Sequence, residues 1–229
     1  MFRDKYKNEE YFKKSLKFNI KAFDEFEAMK SNINESRVHR FYLFQSGYSK
    51  KIVTISCSLG LPHEEVFKWF KISLYYYQMF YERKGNIYSI IDYLSLAVLF
   101  EDRKEEFIED IEKLFNKYMT FVGEGEQLQE DYIEFLAMYL LRGERVNYHS
   151  HLEYLNLMGD TADSVIEAQK FWYYAHSEAA WYDTHKTEDA YYGYWSFDTA
   201  ALCKIRGIYD ERLKDLDYFP YDLLVQKDH

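Results

Sequence analysis

The stretch Ala190-Tyr191-Tyr192-Gly193-Tyr194-Trp195-Ser196-Phe197-Asp198-Thr199-Ala200-Ala201-Leu202 joins a dense aromatic run to a tail of small residues. The apolar residues from Phe197 onward recur at helical spacing, which predicts a helix with one apolar face. Gly193 precedes this helix, where a tight turn needs a residue without a Cβ. Trp195 is large, and its indole N–H needs an acceptor once it is buried. The stretch therefore predicts a core helix with a packed entry turn.

The remainder of the chain is rich in helical apolar patterns and poor in helix breakers. Among 229 residues there are 2 Pro and 9 Gly, and 20% of the residues are aromatic. No segment shows the clean alternation of a strand. We therefore expect an all-α fold, a bundle-like array of about nine or ten helices without significant sheet. The longer predicted helices include 8–31, 35–45, 49–59, 63–83, 87–100, 103–122, 131–141 and 164–185, the last capped by Asp163.

The segment Gly123-Glu124-Gly125-Glu126 is the best candidate for a domain boundary. It contains glycine and charge, and it lacks apolar anchors. We expect an N-terminal helical domain over residues 1–122 and a C-terminal helical domain over residues 127–229.

Composition restricts the classes of partner. The formal net charge of −10 argues against direct binding to nucleic acid, which needs a basic footprint, and suits a basic protein partner. Cys57 and Cys203 are too few for a disulfide framework, which indicates a reducing compartment. The N-terminus lacks the apolar run of a signal peptide, and no segment is apolar enough to span a membrane. We expect a soluble, cytoplasmic protein.

Three blocks near the C-terminus carry a family resemblance. They are W-Y-D-x-H over residues 181–185, Y-Y-G-Y-W-S-F-[acid]-x-A-A-L over 191–202 and Y-[YF]-P-Y-D-L over 218–223. In this order they resemble the C-terminal domain of PoNi-type immunity proteins, the antidotes that bacteria encode beside polymorphic DNase toxins of the PoNe type. Arg3-Asp4, Tyr11-Phe12 and Tyr48-Ser49 resemble the other domain of that family. Asp198 stands where the pattern more often has Glu.

The resemblance implies an immunity protein that binds and neutralises a cognate bacterial DNase toxin in the cytoplasm and is not an enzyme. It implies a partner with a basic nuclease domain, while charge and hydropathy, as above, argue against nucleic acid and a membrane as direct partners. It also implies a division of labour, in which the motif builds the scaffold and more variable surface selects the toxin. The structural motif residues are Trp181, Asp183, His185, Tyr192, Gly193, Trp195, Phe197, Pro220, Tyr221 and Asp222.

The densest acidic stretch runs from Glu101 to Asp131, and two interpretations of it remain open. It is either a solvated helix face or a docking surface for a basic nuclease. The candidate toxin-binding residues are Glu105, Glu106, Glu109, Asp110, Glu124, Glu126, Glu130 and Asp131.

Two alternative functions depend on residue types alone. His176, Asp183 and His185 are a hypothetical ligand set for a metal-dependent hydrolase, although nothing in their spacing makes them converge. Residues 52–69 have the outline of a DNA-binding helix-turn-helix, but the second helix begins with Glu64-Glu65, where phosphate contacts need donors. No nucleophile elbow or phosphate-binding loop is present. We predict no catalytic residue, cofactor or metal, and we expect Asp183 and His185 to pair with hydroxyl groups near Tyr191 and Tyr192.

Overall fold

The fold is that of a computed structural model, which describes residues 2–82, 86–187 and 191–225. These residues form helices, turns and loops, with no strand among them, which confirms the all-α prediction. None of the helices described is both long and apolar enough to cross a membrane. Arg83, the last residue of a predicted helix, lies outside the described residues. Ala190, the first residue of the aromatic stretch quoted above, also lies outside them.

The α-helices are α1 (Glu9–Ala28), α2 (Glu35–Leu59), α3 (His63–Phe80), α4 (Ile87–Leu99), α5 (Ile108–Gly123), α6 (Asp131–Arg142), α7 (Glu153–Leu157), α8 (Ala162–Ala175), α9 (Phe197–Arg206) and α10 (Tyr221–Val225). Short 3-10 helices cover Lys30–Asn32, Glu101–Glu106, Thr184–Lys186 and Glu211–Asp215.

The chain forms two compact units, each of which takes two separate parts of the sequence. Unit 1 comprises Met1–Glu82 and Asp183–Tyr194, and unit 2 comprises Arg83–Tyr182 and Trp195–His229. The expected boundary at residues 123–126 remains a prediction about domains.

In unit 1, α2 packs against both α1 and α3. Gly60 ends α2 with a left-handed backbone (φ 62°), which a residue without a Cβ adopts easily, and α3 begins three residues later. Residues 52–69, which have a helix-turn-helix outline, thus comprise the end of α2, the turn and the start of α3, and these two helices pack against each other.

In unit 2, α4 is the central helix and packs against α6 and α9. Its residues from Tyr93 to Leu99 are all buried, as their nearly continuous apolar sequence predicts. Gly207 ends α9 with a φ of 72° and confirms the predicted C-cap.

The two helices predicted on either side of Gly47 are one continuous helix, α2. Gln45, Ser46, Ser49 and Ile52 are all buried along this helix. Packing against two neighbouring helices outweighs the weak helix propensity of a single glycine, which costs only about 1 kcal/mol. The predicted break was therefore wrong.

Replacing Gly47 with alanine is expected to raise the free energy of unfolding by about 0.5–1 kcal/mol, because alanine is the better helix former. A Cβ at this position meets no atom within 4 Å. Gly143 is the matched control, since its Cβ is equally unobstructed but its φ is +70°. Gly143→Ala is expected to destabilise by about 1 kcal/mol. Urea unfolding measures both, and a destabilised Gly47→Ala variant would contradict a continuous α2.

Two other predicted helices are shorter than expected. The helix predicted from residue 103 begins only at Ile108, because Phe107 turns into the core with a φ of −145°. The helix predicted to reach His185 ends at Ala175. There, Nδ1 of His176 donates to the Trp172 carbonyl at 2.7 Å, the acceptor that a continuing helix would use. The cap of this helix is Thr161 and not the predicted Asp163.

Candidate functional site

In unit 2, the second block of the motif places a carboxylate at the centre of a buried polar cluster. Asp198 is 3% exposed at the start of α9. Its carboxylate accepts hydrogen bonds from Trp172 Nε1 at 3.1 Å, from the Thr199 N–H at 2.8 Å and from the Tyr154 hydroxyl. Its backbone carbonyl accepts from the Tyr132 hydroxyl at 2.9 Å. One residue thereby ties four helices together.

Burial raises the pKa of the Asp198 carboxyl above its ordinary value. The nearby His176 and the hydrogen bond from Tyr154 act in the opposite direction but do not cancel the effect of burial. A carboxylate that is expensive to bury is retained here because its oxygens satisfy buried donors.

A second polar cluster fixes the Tyr218 segment to α8 and α9. Gln169 Nε2 donates to Ser196 Oγ at 2.8 Å and to the Asp217 carbonyl at 2.9 Å, and its Oε1 accepts from Thr199 at 2.9 Å. The Ser196 N–H donates to the Tyr218 carbonyl at 2.8 Å. The third motif block is therefore held by hydrogen bonds to the second.

His176 lies among rings. It is buried, and its ring centroid is 4.8 Å from that of Trp172, 4.9 Å from Tyr88 and 5.1 Å from Trp181. Over residues 2–82, 86–187 and 191–225, no three or more His, Cys, Asp or Glu side chains are grouped so that they could hold a metal ion. The rings of Trp172, Tyr88 and Trp181 are therefore the surroundings of the His176 ring.

In unit 1, His185 pairs with the hydroxyl of Tyr194. Its backbone N–H donates to this hydroxyl at 3.0 Å, and its Nδ1 lies 3.0 Å from the same oxygen. Its ring stacks on Tyr6 at 4.1 Å, and burial lowers the pKa of the imidazole. The hydroxyl of Tyr191 donates to Asp4, so the start of the chain and the motif share one polar cluster.

Three other motif residues of unit 1 lie around this cluster. Asp183 has a left-handed backbone (φ 61°) and binds Lys186 at 2.6 Å. The ammonium group of Lys51 lies over the ring of Tyr192, 4.7 Å from its centroid. Gly193 has a φ of 101°, as the predicted tight turn requires.

The motif residues of unit 2 differ in burial. Phe197 and Pro220 are buried, whereas Trp195 and Tyr221 are half-buried and Asp222 is exposed. Trp181 is half-buried and stacks on Trp172 at 5.5 Å. The sequence predicts a buried Trp195, but the buried tryptophan of unit 2 is Trp172, whose indole N–H donates to Asp198.

The acidic candidates, all in unit 2, differ in exposure and in their ion pairs. Glu105 and Glu109 are exposed, and Glu105 forms no ion pair with any described residue. Glu106 is exposed but bound by Arg103 at 2.8 Å. Asp110 is half-buried, and burial raises the pKa of its carboxyl. Farther along the chain, Glu124 is exposed, whereas Glu126 and Asp131 are half-buried.

Glu130 is buried, unlike the other acidic candidates. It is 0% exposed, and its carboxylate accepts from the Tyr132 N–H at 3.0 Å, from the His151 N–H at 3.0 Å and pairs with His151 Nδ1 at 2.9 Å. Glu130 caps α6 and fixes the loop before α7, so the binding surface proposed below omits it.

The net charge of the chain is confined to unit 2. This unit contains 26 acidic and 14 basic residues, a formal charge of −12, whereas unit 1 contains 13 acidic and 15 basic residues, a formal charge of +2. Any long-range attraction of a basic partner therefore acts on unit 2.

Fold and charge define an all-helical protein of two units, one of them strongly acidic. The model of the PoNe immunity protein (PoNi) N-terminal domain matches residues 3–112, and that of the C-terminal domain matches residues 144–223. The chain belongs to the PoNe immunity protein (PoNi) family, as the three sequence blocks predicted. Comparison with curated proteins and with solved structures gave no significant match.

Proposed function

We propose that this chain protects its cell by binding the nuclease domain of a cognate PoNe toxin, a DNase, in the cytoplasm. Membership in the immunity family carries the proposal. The charge of −12 on unit 2 supports it, because a DNase must present a positive groove to the phosphates of DNA. The buried free thiols of Cys57 and Cys203 are compatible with a reducing compartment.

Inhibition on this proposal is stoichiometric binding, with no chemical step. A carboxylate surface seated on the nuclease occupies the field that attracts DNA and so competes with the substrate. We propose that the exposed carboxylates at the start of α5, taken to include the 3-10 helix just before it, supply this surface, led by Glu105 and Glu109. Asp110 contributes less, because it is half-buried, and Glu106 is already neutralised by Arg103.

Apolar anchors accompany these charges. Met119 on α5 and Leu128 in the following loop are exposed, and the Leu128 carbonyl accepts from Tyr118 of α5 at 3.1 Å. Charges on the rim of an interface raise the association rate, whereas buried apolar contacts slow dissociation. We therefore assign different kinetic roles to the two kinds of residue.

The decisive experiment titrates the cognate nuclease domain with the purified protein while DNA cleavage is followed. We expect inhibition to be complete at one equivalent and to be relieved by excess DNA at low inhibitor concentration. Inactivation of the nuclease by a small fraction of an equivalent would indicate catalysis and overturn the proposal. Absence of any complex would overturn it as well.

Charge reversal tests the proposed surface. The double variant Glu105→Lys/Glu109→Lys is expected to lower the association rate about tenfold at low salt, with a much smaller effect at 0.5 M salt, because screening removes steering. Surface plasmon resonance over a salt series measures both rates.

The chain offers a matched control in unit 1. Asp24→Lys/Glu25→Lys makes the same change in net charge, and Glu25 loses an i, i+4 pair with Lys21 much as Glu109 loses one with Lys113. This control is expected to alter association by less than about twofold. Equal association rates for the Glu105/Glu109 variant and the wild-type protein at low salt would remove the start of α5 from the interface.

A further inference from the structure

Unit 2 carries a continuous aromatic surface that neither the acidic segment nor the buried clusters include. Tyr173 stacks on Tyr182, at a centroid distance of 4.6 Å, and on Tyr218, at 5.2 Å. Tyr174 contacts Tyr173 edge-on at 5.8 Å, and Phe171 lies one turn away on α8. We call these five residues the aromatic platform.

The outer part of the platform is open to solvent. Tyr174 is 70% exposed and Phe171 is 53% exposed. Residues three apart lie side by side on a helix, so the two rings form one apolar patch. The Tyr174 and Tyr182 hydroxyls form no hydrogen bond with other described residues. Adjacent exposed aromatic rings with free hydroxyls are typical of a protein interface.

The platform contacts the buried core of unit 2. Trp172 lies 5.3 Å from the ring of Tyr218 and stacks on Trp181 at 5.5 Å, and its indole donates to Asp198. Tyr218 has a φ of 65°, in the left-handed region that bulky residues rarely adopt. Its carbonyl accepts the Ser196 N–H at 2.8 Å, which holds it in this conformation.

The charges around the platform are mainly negative. Glu167 on α8 and Glu178 after its end are exposed, and Asp217 and Asp222 are exposed beside Tyr218 and Tyr221. Burial and the nearby carboxylates of Glu211, Asp210 and Asp222 raise the pKa of Tyr221. Two basic side chains of these segments are already paired. Lys170 binds Glu167 and so neutralises it, and Arg212 binds Asp210 and Asp163.

Aromatic faces bordered by carboxylates bind guanidinium and ammonium groups through cation–π contacts and ion pairs. We infer that the aromatic platform is the docking surface for an arginine- and lysine-rich face of the cognate nuclease domain. This inference rests on the proposed function. It assigns the platform to slowing dissociation, whereas the start of α5 speeds association.

The test uses the full-length double variant Phe171→Ala/Tyr174→Ala and the cognate nuclease domain. Both side chains are exposed, so the fold is expected to survive, and thermal unfolding checks this. We expect the dissociation rate to rise at least tenfold, with less than a twofold change in association. Phe18→Ala/Tyr75→Ala in unit 1 is the matched control, since these rings are 66% and 40% exposed, and it is expected to leave both rates unchanged.

Single substitutions at Tyr174 separate the effect of its aromatic ring on dissociation from the effect of an added charge. Tyr174→Phe is expected to retain slow dissociation, because the ring face remains, whereas Tyr174→Arg is expected to accelerate it more than Tyr174→Ala. If the wild-type protein binds the nuclease but Phe171→Ala/Tyr174→Ala dissociates at the wild-type rate, the platform is not the docking surface and the proposed function stands. If the wild-type protein forms no complex, the proposed function fails first. Tighter binding of Tyr174→Arg would show that the partner face is acidic and would overturn the inference.

Discussion

Replacing Asp198 with alanine is expected to lower the free energy of unfolding by about 3–5 kcal/mol, because three buried donors lose their acceptor. These donors are the Tyr154 hydroxyl, the Trp172 indole and the Thr199 N–H. A loss of this size is a large part of the total stability of an ordinary domain, about 5–15 kcal/mol. Urea unfolding followed by circular dichroism measures it.

Asp198→Asn is the conservative control. Its amide oxygen can still accept from Trp172, and its NH₂ group can donate to the oxygen of Tyr154, so the expected loss is about 1 kcal/mol. A loss for Asp198→Ala as small as that for Asp198→Asn would mean that water replaces the carboxylate and that the cluster is not a structural centre.

The difference in stability between the wild-type protein and Asp198→Asn is expected to depend on pH. Burial raises the folded-state pKa of Asp198, so the folded protein holds this proton more tightly than the unfolded chain does. The stabilisation that the Asp198 carboxyl gives to the folded protein is complete below its ordinary pKa of about 3.9. It is lost as the pH rises through the folded-state pKa. The stability of the wild-type protein relative to Asp198→Asn should therefore fall with increasing pH. A relative stability that rises with pH would show that the folded protein prefers the ionised carboxylate.

Trp172→Ala is expected to cost about 3–5 kcal/mol, because it removes a buried ring and leaves a cavity. The ring is 3% exposed and contacts Trp181, His176 and Tyr218. Trp195→Ala should cost only about 1–2 kcal/mol, since Trp195 is half-buried and its truncation leaves a smaller cavity. Guanidinium unfolding of both variants gives the comparison.

Trp172→Phe distinguishes packing from hydrogen bonding at this position. It keeps a ring in the stack but removes the N–H that binds Asp198, so an intermediate loss is expected. Equal losses for Trp172→Ala and Trp195→Ala would contradict the assignment of Trp172 as the core tryptophan of unit 2.

The family motif contains both residues that build the scaffold and residues that are candidates for recognition. Asp198 and Phe197 are buried and hold helices together, which is a scaffold role. Tyr182 and Tyr218 belong to the same three blocks but lie half-exposed in the aromatic platform. We therefore expect the motif to serve both purposes, with its buried members setting the geometry of the exposed ones.

The sequence by itself determined the helical class, the family and the concentration of acidic residues between positions 101 and 131. These properties follow from local composition and spacing, which need no knowledge of distant contacts. The C-cap at Gly207 and the tight turn at Gly193 were predictable for the same reason, since each depends on the backbone freedom of one residue.

Only the tertiary structure decided which residues meet. Gly47 lies within a helix because two neighbouring helices pack along α2, and Glu130 is buried because His151 binds it from a loop 21 residues away. Trp172 could have been noticed from its helical spacing to Val165 and Ala168, but its role depends on Asp198, 26 residues later. The motif blocks are even divided between the two units, with His185 in one and Trp181 in the other. Burial and hydrogen bonding are properties of pairs that the fold brings together, so no local pattern contains them.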